Sequence, residues 1–238
     1  MNPTLPSRQE LESRIHDCNA CPRLRSHCAS IAETKRRAYQ AETYWGKPIT
    51  PFGPTSARLV IVGLAPGAHG ANRTGRVFTG DRSGEWLYRA LFRAGFANQP
   101  ESLRRDDTLA LNDAVITCVV KCAPPDNKPA PEELARCTRL FFETELELFN
   151  QAQVYLALGK IAWDALIHAF QLPKPRPSFA HGREVMLAKN PLFSNTKARP
   201  ALLLGSYHPS QQNTFTGRLT EPLFDAIFLR ARQAIADP

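Results

Sequence analysis

Leu59-Val60-Ile61-Val62, followed by Gly63-Leu64-Ala65-Pro66-Gly67-Ala68-His69-Gly70-Ala71-Asn72-Arg73-Thr74-Gly75-Arg76-Val77-Phe78-Thr79-Gly80-Asp81, decides how this chain is read. The uninterrupted, β-branched run predicts a strand covered on both faces, because a strand with one wet face alternates apolar and polar residues. The loop after it holds five glycines and few core-forming side chains. Glycine lets a backbone turn sharply and approach a ligand closely, at an entropic cost that a plain connector seldom carries. Ser83 then stands where it can cap a helix through Trp86, Leu87, Ala90, Leu91 and Ala94 that ends at Gly95. The loop thus leaves the carboxyl end of a strand and enters a helix, the position at which open α/β sheets bind ligands.

Three further apolar runs read as strands: Ala114 to Val120, Val154 to Leu158 and Ala201 to Leu204. Helical patterns alternate with them. One starts after Gly159, one has Pro131 at its first position and runs to Leu148, and one carries Leu223, Ile227, Ala231 and Ile235. The expected fold is α/β, a three-layer α/β/α sandwich around a central, mainly parallel four-stranded sheet in a single domain over residues 1–238. Ser7 and Glu10 are spaced as a capping box, opening a helix from Ser7 to Arg25 that runs towards Cys18 and Cys21. Ala123 to Pro131 holds four prolines and reads as an extended link.

Composition narrows the function classes. Of 238 residues 43% are hydrophobic and 22% charged, and no segment approaches the roughly 20 apolar residues of a membrane span. The amino end lacks the apolar core of a secretion signal, so a cytoplasmic protein is expected. A formal net charge of +8 favours polyanionic partners. Lys35-Arg36-Arg37 and Arg104-Arg105 are the densest basic spots, suited to phosphates or to a solvated face.

In such a setting six cysteines argue against a disulfide framework. Cys18 and Cys21 form a C-x2-C knuckle, and Cys122 and Cys137 flank the proline-rich link. The two pairs would converge if the amino-terminal helix packed against that corner. Four thiolates suit zinc or an iron–sulfur cluster alike, and some of these cysteines also fit the pattern of small buried apolar residues.

A second polar loop, Ser206-Tyr207-His208-Pro209-Ser210-Gln211-Gln212-Asn213, follows the last strand. His208 before a proline is held in extended backbone, and a neutral imidazole there can donate a hydrogen bond to charge on a leaving group. Asp81 suits either the positioning of an attacking water or the capping of the next helix. Phe78 suits stacking on a planar base or a place in the core.

These strings, with Lys121-Cys122-Ala123-Pro124-Pro125-Asp126-Asn127-Lys128-Pro129 and Tyr44-Trp45-Gly46, occur in the order found in the uracil-DNA glycosylase superfamily, and the chain resembles its family 5 (type-b) members most. That resemblance implies hydrolysis of the N-glycosidic bond of uracil in damaged DNA by base flipping and water attack. It also implies a structural 4Fe–4S cluster on Cys18, Cys21, Cys122 and Cys137, in a subregion formed by residues 7–30 and 118–140. Asp81 would position the water, His208 would stabilise the departing base, and Phe78 would stack on it. Gly63, Ala65, Gly67, Asn127, Ser210 and Asn213 are the further base-pocket candidates. Lys35, Arg36, Arg37, Arg73 and Arg76 are the candidates for DNA phosphates. A monomer is expected.

The chain departs from related families in two places. Leu64-Ala65 stands where they carry a water-activating acid or amide, so Asp81 has to compensate. Cys118 stands where the sister family with the same cluster has an asparagine that reads the uracil edge. Losing that amide should relax selectivity and admit hypoxanthine or xanthine. The contrasting reading is a non-catalytic, metal-stabilised nucleic-acid-binding module, which accounts for the charge and the cysteines and leaves both polar loops without a purpose. An iron–sulfur redox enzyme would need a second cofactor motif, and none is recognisable.

Overall fold

The computed structural model describes residues 5–187 and 200–236. Strands β1 (Leu59–Gly63), β2 (Ala114–Cys118), β3 (Val154–Leu158), β4 (Glu184–Leu187) and β5 (Ala201–Ser206) form a sheet in the order β2-β1-β3-β5-β4. All pairs are parallel except β4 with β5. Among the described residues the sheet therefore has five strands, not the four expected. The additional strand is a short antiparallel edge: its apolar run is only Val185-Met186-Leu187, and of its four residues only Leu187 is buried, because one face and the outer edge meet solvent.

Every residue of β1, β2, β3 and β5 is buried. Side chains alternate across a strand, and the two faces pack on different helices. Leu59, Ile61, Ile116, Leu156 and Leu204 meet Leu87, Tyr88 and Leu91 of α4 (Arg82–Arg93) and Phe224 and Phe228 of α9 (Glu221–Ala236). Val60, Val62, Val115, Tyr155 and Leu203 meet Leu146 of α6 (Glu143–Leu148) and Trp163 and Leu166 of α7 (Lys160–Ala169). The three-layer expectation is borne out, because a parallel sheet must bury both faces under its crossover helices.

A third apolar cluster joins α1 (Arg8–His16) and α2 (Pro22–Thr34) to α5 (Pro131–Cys137). The capping box at Ser7 and Glu10 is present. The single helix expected from Ser7 to Arg25 is instead two, because Pro22 takes the first helical position of α2 and forces Cys21 out of the helical region, at φ −122° and ψ 84°. The helix from Pro131 to Leu148 is interrupted by a π-helical turn over Thr138–Phe142, immediately after Cys137. Two short helices, α3 (Ala71–Thr74) and α8 (Gln211–Phe215), lie within the polar loops after β1 and β5. Among the described residues no helix is long and apolar enough to cross a membrane.

Candidate active site

Strand β1 lies between β2 and β3, so the chain leaves it in one direction along the sheet and returns on the other side, which opens a crevice at the carboxyl ends of the strands. A cavity of about 640 Å³ occupies that crevice. Residues 64–67 after β1, Cys118 at the end of β2, Leu158 at the end of β3 with residues 159–162 after it, and His208, Ser210, Gln211 and Gln212 after β5 meet in its wall, with Phe78, Asp81 and Asn127. Both polar loops singled out in the sequence thus converge on one site.

Asp81, not Ser83, is the N-cap of α4, and its Oδ1 accepts the Gly84 amide at 2.9 Å. The same carboxylate lines the cavity, so capping α4 does not take it away from the crevice. Oδ2 presses against the glycine loop: a methyl group on Gly70 would lie 1.9 Å from it, and one on Gly67 2.9 Å. Those glycines are needed for close approach. Burial raises the carboxyl above its ordinary range, and the Gly84 amide opposes that rise.

Phe78 adopts the left-handed region at φ 50°, a strained choice for a bulky residue. Its ring lies over Gly63, where a methyl group would sit 3.0 Å from Cε2 and Cζ. It also lies 5.7 Å from the His208 ring between centroids, at an interplanar angle of 34°. Burial pushes the His208 imidazole down to about 4, so the ring is neutral at physiological pH.

Several expected roles are corrected by burial. Arg73 and Arg76 are 6% and 5% exposed and are committed to internal partners. Arg73 donates to His69 O at 2.8 Å and to Gly80 O at 2.7 Å and pairs with Glu42. Arg76 donates to Thr79 Oγ1 at 2.9 Å and to Asp107 Oδ2 at 2.8 Å. Both arginines brace the loop that carries Phe78 and Asp81, and neither is free to meet a phosphate. Asn213 and Gly63 are not among the residues that line the cavity: Asn213 Nδ2 donates to His208 O at 2.8 Å, fixing the loop, while Gly63 makes room for Phe78.

The remaining candidates sit where a ligand can reach them. Ala65, Gly67, Asn127 and Ser210 line the cavity. Arg36 and Arg37 are exposed and Lys35 is half-buried. Their turn is tied to the cavity loop through Tyr44, whose hydroxyl accepts the Arg36 amide at 3.3 Å and shares a hydrogen bond of 3.0 Å with His69. Residues that escaped the sequence reading are Arg82, Lys160, Ile161, Gln211 and Gln212, all in the wall. The signal for the segment around Lys160 was Gly159 after a buried strand, with φ 96°, the same strand-end punctuation that marked the first loop.

The cysteines gather at one corner. Cys18, Cys21, Cys28, Cys122 and Cys137 belong to the third apolar cluster. The Lys121 amide donates to Cys137 Sγ at 3.4 Å, and the Arg136 guanidinium donates to Cys21 Sγ at 3.7 Å. Cys28 hydrogen-bonds to Cys122 and donates to Ala123 O at 3.6 Å. None of the six cysteines is in a disulfide. Among the described residues no group of three or more His, Cys, Asp or Glu side chains stands at metal-holding spacing. The chemistry of the donor set, sulfur atoms with N–H groups aimed at them, suits a soft, thiolate-bound metal or cluster.

Comparison with known proteins agrees with this architecture. The profile of the uracil DNA glycosylase superfamily matches residues 50–232. The chain is similar to the type-5 uracil-DNA glycosylase of Thermus thermophilus, with 45% identity over 226 residues covering 95% of this chain and 97% of that protein. It is 45% identical over 225 residues to the type-5 uracil-DNA glycosylase of Mycobacterium bovis, covering 94% of this chain and 80% of that protein. The type-5 uracil-DNA glycosylase of Pyrobaculum aerophilum is 41% identical over 219 residues, 92% of this chain and 89% of that protein.

Proposed function

The chain belongs to the uracil DNA glycosylase superfamily, and on that footing we propose that it hydrolyses the N-glycosidic bond of uracil in DNA. The observation that carries the reading is the single cavity lined by the Asp81 carboxylate, the Phe78 ring and the neutral His208 imidazole, with the two rings 5.7 Å apart. The target nucleotide leaves the stack and its base enters beside Phe78. As the C1′–N1 bond breaks, its electron pair passes to the pyrimidine and positive charge develops on the sugar. His208 donates a hydrogen bond to the departing base, and no protonated imidazole is required. Asp81, with Oδ1 fixed by the Gly84 amide, orients a water towards C1′ and accepts its proton as the new C–O bond forms. Leu64 and Ala65 lie in the same wall and offer no side-chain acceptor, which supports the shift of this task to Asp81.

Deaminated purines are the finer part of the proposal. Cys118 lines the cavity with a thiol pushed up to about 12 by burial, a weak hydrogen-bonding group where an amide would read the base edge. A pocket with fewer buried polar groups rejects fewer bases. Cys18, Cys21, Cys122 and Cys137 would hold a 4Fe–4S cluster, whose contribution is to tie α1 and α2 to the link between β2 and α5.

The test is release of free base from duplexes containing uracil, hypoxanthine or xanthine, with a thymine duplex as control. Release of uracil is expected, with one or both purines. Absence of uracil release would end the glycosylase reading, and release of uracil alone would end the purine reading. Iron and sulfide assays on anaerobically prepared protein check the cluster, since four iron atoms per chain are expected and stoichiometric zinc would refute it.

A further inference from the structure

Phe215 closes the short helix α8, which begins in the wall of the cavity with Gln211 and Gln212. It is 68% exposed, more than any other large apolar side chain among the described residues. An aromatic ring left in water forgoes the stabilisation that burial would bring, so its exposure beside a ligand cavity calls for a partner that covers it.

Two neighbouring features point to the chemistry of that partner. The Arg82 guanidinium lies 5.0 Å from the centroid of the Phe215 ring, and Arg82 itself is exposed and lines the cavity. An aromatic face with a cation held against it, at the mouth of a pocket, is the combination that meets a nucleic-acid strand: the ring stacks on bases and the guanidinium pairs with phosphate. The platform is also well anchored. Asn213 Nδ2 donates to His208 O, the Thr214 amide to Ser210 O at 3.0 Å, and the Leu219 amide to Asn213 O at 2.9 Å, so Phe215 is held in fixed relation to His208.

We propose that Phe215 is the side chain that enters the base stack as the target nucleotide leaves it, with Arg82 meeting the adjoining phosphate. This assignment rests on the glycosylase reading above. Extruding a nucleotide costs stacking on both of its neighbours, and an apolar wedge in the gap recovers part of that cost and opposes the return of the base. Arg82 and Lys160 both line the cavity and the chain carries a formal net charge of +8, which favours DNA over an apolar protein surface as the occupant.

The test compares the full-length chain with Phe215→Ala, Phe215→Trp and, as a control at another exposed apolar position outside the cavity, Met186→Ala. Single-turnover uracil release is measured on a duplex with a U·A pair, unpairing is followed by 2-aminopurine fluorescence beside the uracil, and affinity is measured for a uracil-free single strand. Phe215→Ala should slow release from the duplex about 5- to 100-fold, the range of one missing base–aromatic stack. It should abolish the fluorescence rise and leave single-strand affinity within about twofold. Phe215→Trp should retain both activities, and Met186→Ala should match the original chain. All variants should melt at the same temperature, because neither ring nor thioether is packed in the core. Unchanged duplex release or fluorescence in Phe215→Ala would overturn the assignment, as would weakened single-strand binding equal to the loss of duplex release. Failure of the unsubstituted chain to release uracil is a separate outcome, which removes the glycosylase reading and this assignment with it.

Discussion

Replacing Gly70 by alanine should disable the site by displacing Asp81, with every side chain of the cavity left unsubstituted. The new methyl carbon would lie 1.9 Å from Asp81 Oδ2 and 2.7 Å from its Cγ, with the Asp81 Cβ at 3.0 Å. A Cβ atom does not approach another non-bonded heavy atom within 3.0 Å, so the carboxylate oxygen must withdraw by at least 1.1 Å or the loop must yield. Asp81 has little freedom to move, since its Oδ1 caps α4 through the Gly84 amide. A displacement of about 1 Å in a catalytic group can cost on the order of 100-fold in rate, or about 2.7 kcal/mol of transition-state stabilisation. Overpacking should cost a further 1–3 kcal/mol or so of folding stability. Single-turnover release of uracil from a duplex, at saturating enzyme, reads the first effect, and DNA affinity should stay within about twofold. The decisive comparison is a double-mutant cycle with Asp81→Ala. Once the carboxylate is gone, Gly70→Ala has nothing left to displace and should add little further loss. A full 100-fold loss on top of Asp81→Ala would refute the reasoning, because the glycine would then be serving the loop and not the acid.

The other predictions concern His208, the arginines and the buried ion pair. His208→Ala should slow base release by about 10²–10³-fold while leaving DNA affinity nearly unchanged, as for removal of one preorganised donor, and equal losses in both would argue against that role. Because burial holds His208 down to about 4, the rate should show no limb near the ordinary histidine value of 6.5. The acid limb should come from Asp81, which must be ionised and whose carboxyl is raised, so activity should fall as pH drops through a value above the usual carboxylate range. The same depressed imidazole contributes stability that is complete above pH 6.5 and is lost as pH falls from there towards 4, a trend that urea unfolding across that interval would read. Removing Lys35, Arg36 or Arg37 should lower the salt slope of DNA binding by about 0.9 for each phosphate no longer neutralised, whereas Arg73→Leu and Arg76→Leu should weaken folding and leave the slope alone. Lys121 and Glu145, 2% and 0% exposed and paired at 2.6 Å, form a buried ion pair. Lys121→Met should cost about 3–5 kcal/mol in urea unfolding by stranding the carboxylate, and Lys121→Met with Glu145→Leu should recover most of that loss.

The four parallel strands were legible because each is buried on both faces and is written in apolar residues, a pattern that needs no partner to recognise. The glycine-rich loop and the His208 loop were legible as strand-end loops, since the carboxyl edge of a parallel sheet is where polar residues and glycine stop serving the core. The capping box at Ser7 and Glu10 is likewise a local signal, complete within four residues. Strand β4 was not, because its apolar run, Val185 to Leu187, is too short to tell from a loop and takes its identity from antiparallel pairing with β5.

Tertiary structure decided whatever depends on which groups meet. Arg73 and Arg76 carry the same charge as Arg36 and Arg37, and nothing local distinguishes a brace from a phosphate ligand; burial beside Glu42 and Asp107 does. Asp81 reads equally as a cap or as a site carboxylate, and only the fold shows that the carboxylate capping α4 also lines the cavity, with Gly67 and Gly70 cleared to admit it. Arg82, Lys160 and Phe215 come from three separate segments and acquire meaning only around the mouth of one cavity. The layers, the strand ends and the residue types available for chemistry were thus set by local sequence, because they follow from short-range pattern and solvent exclusion. The partners, the protonation states and the exposed aromatic at the rim were set by the meeting of residues far apart in the chain, which no local pattern encodes.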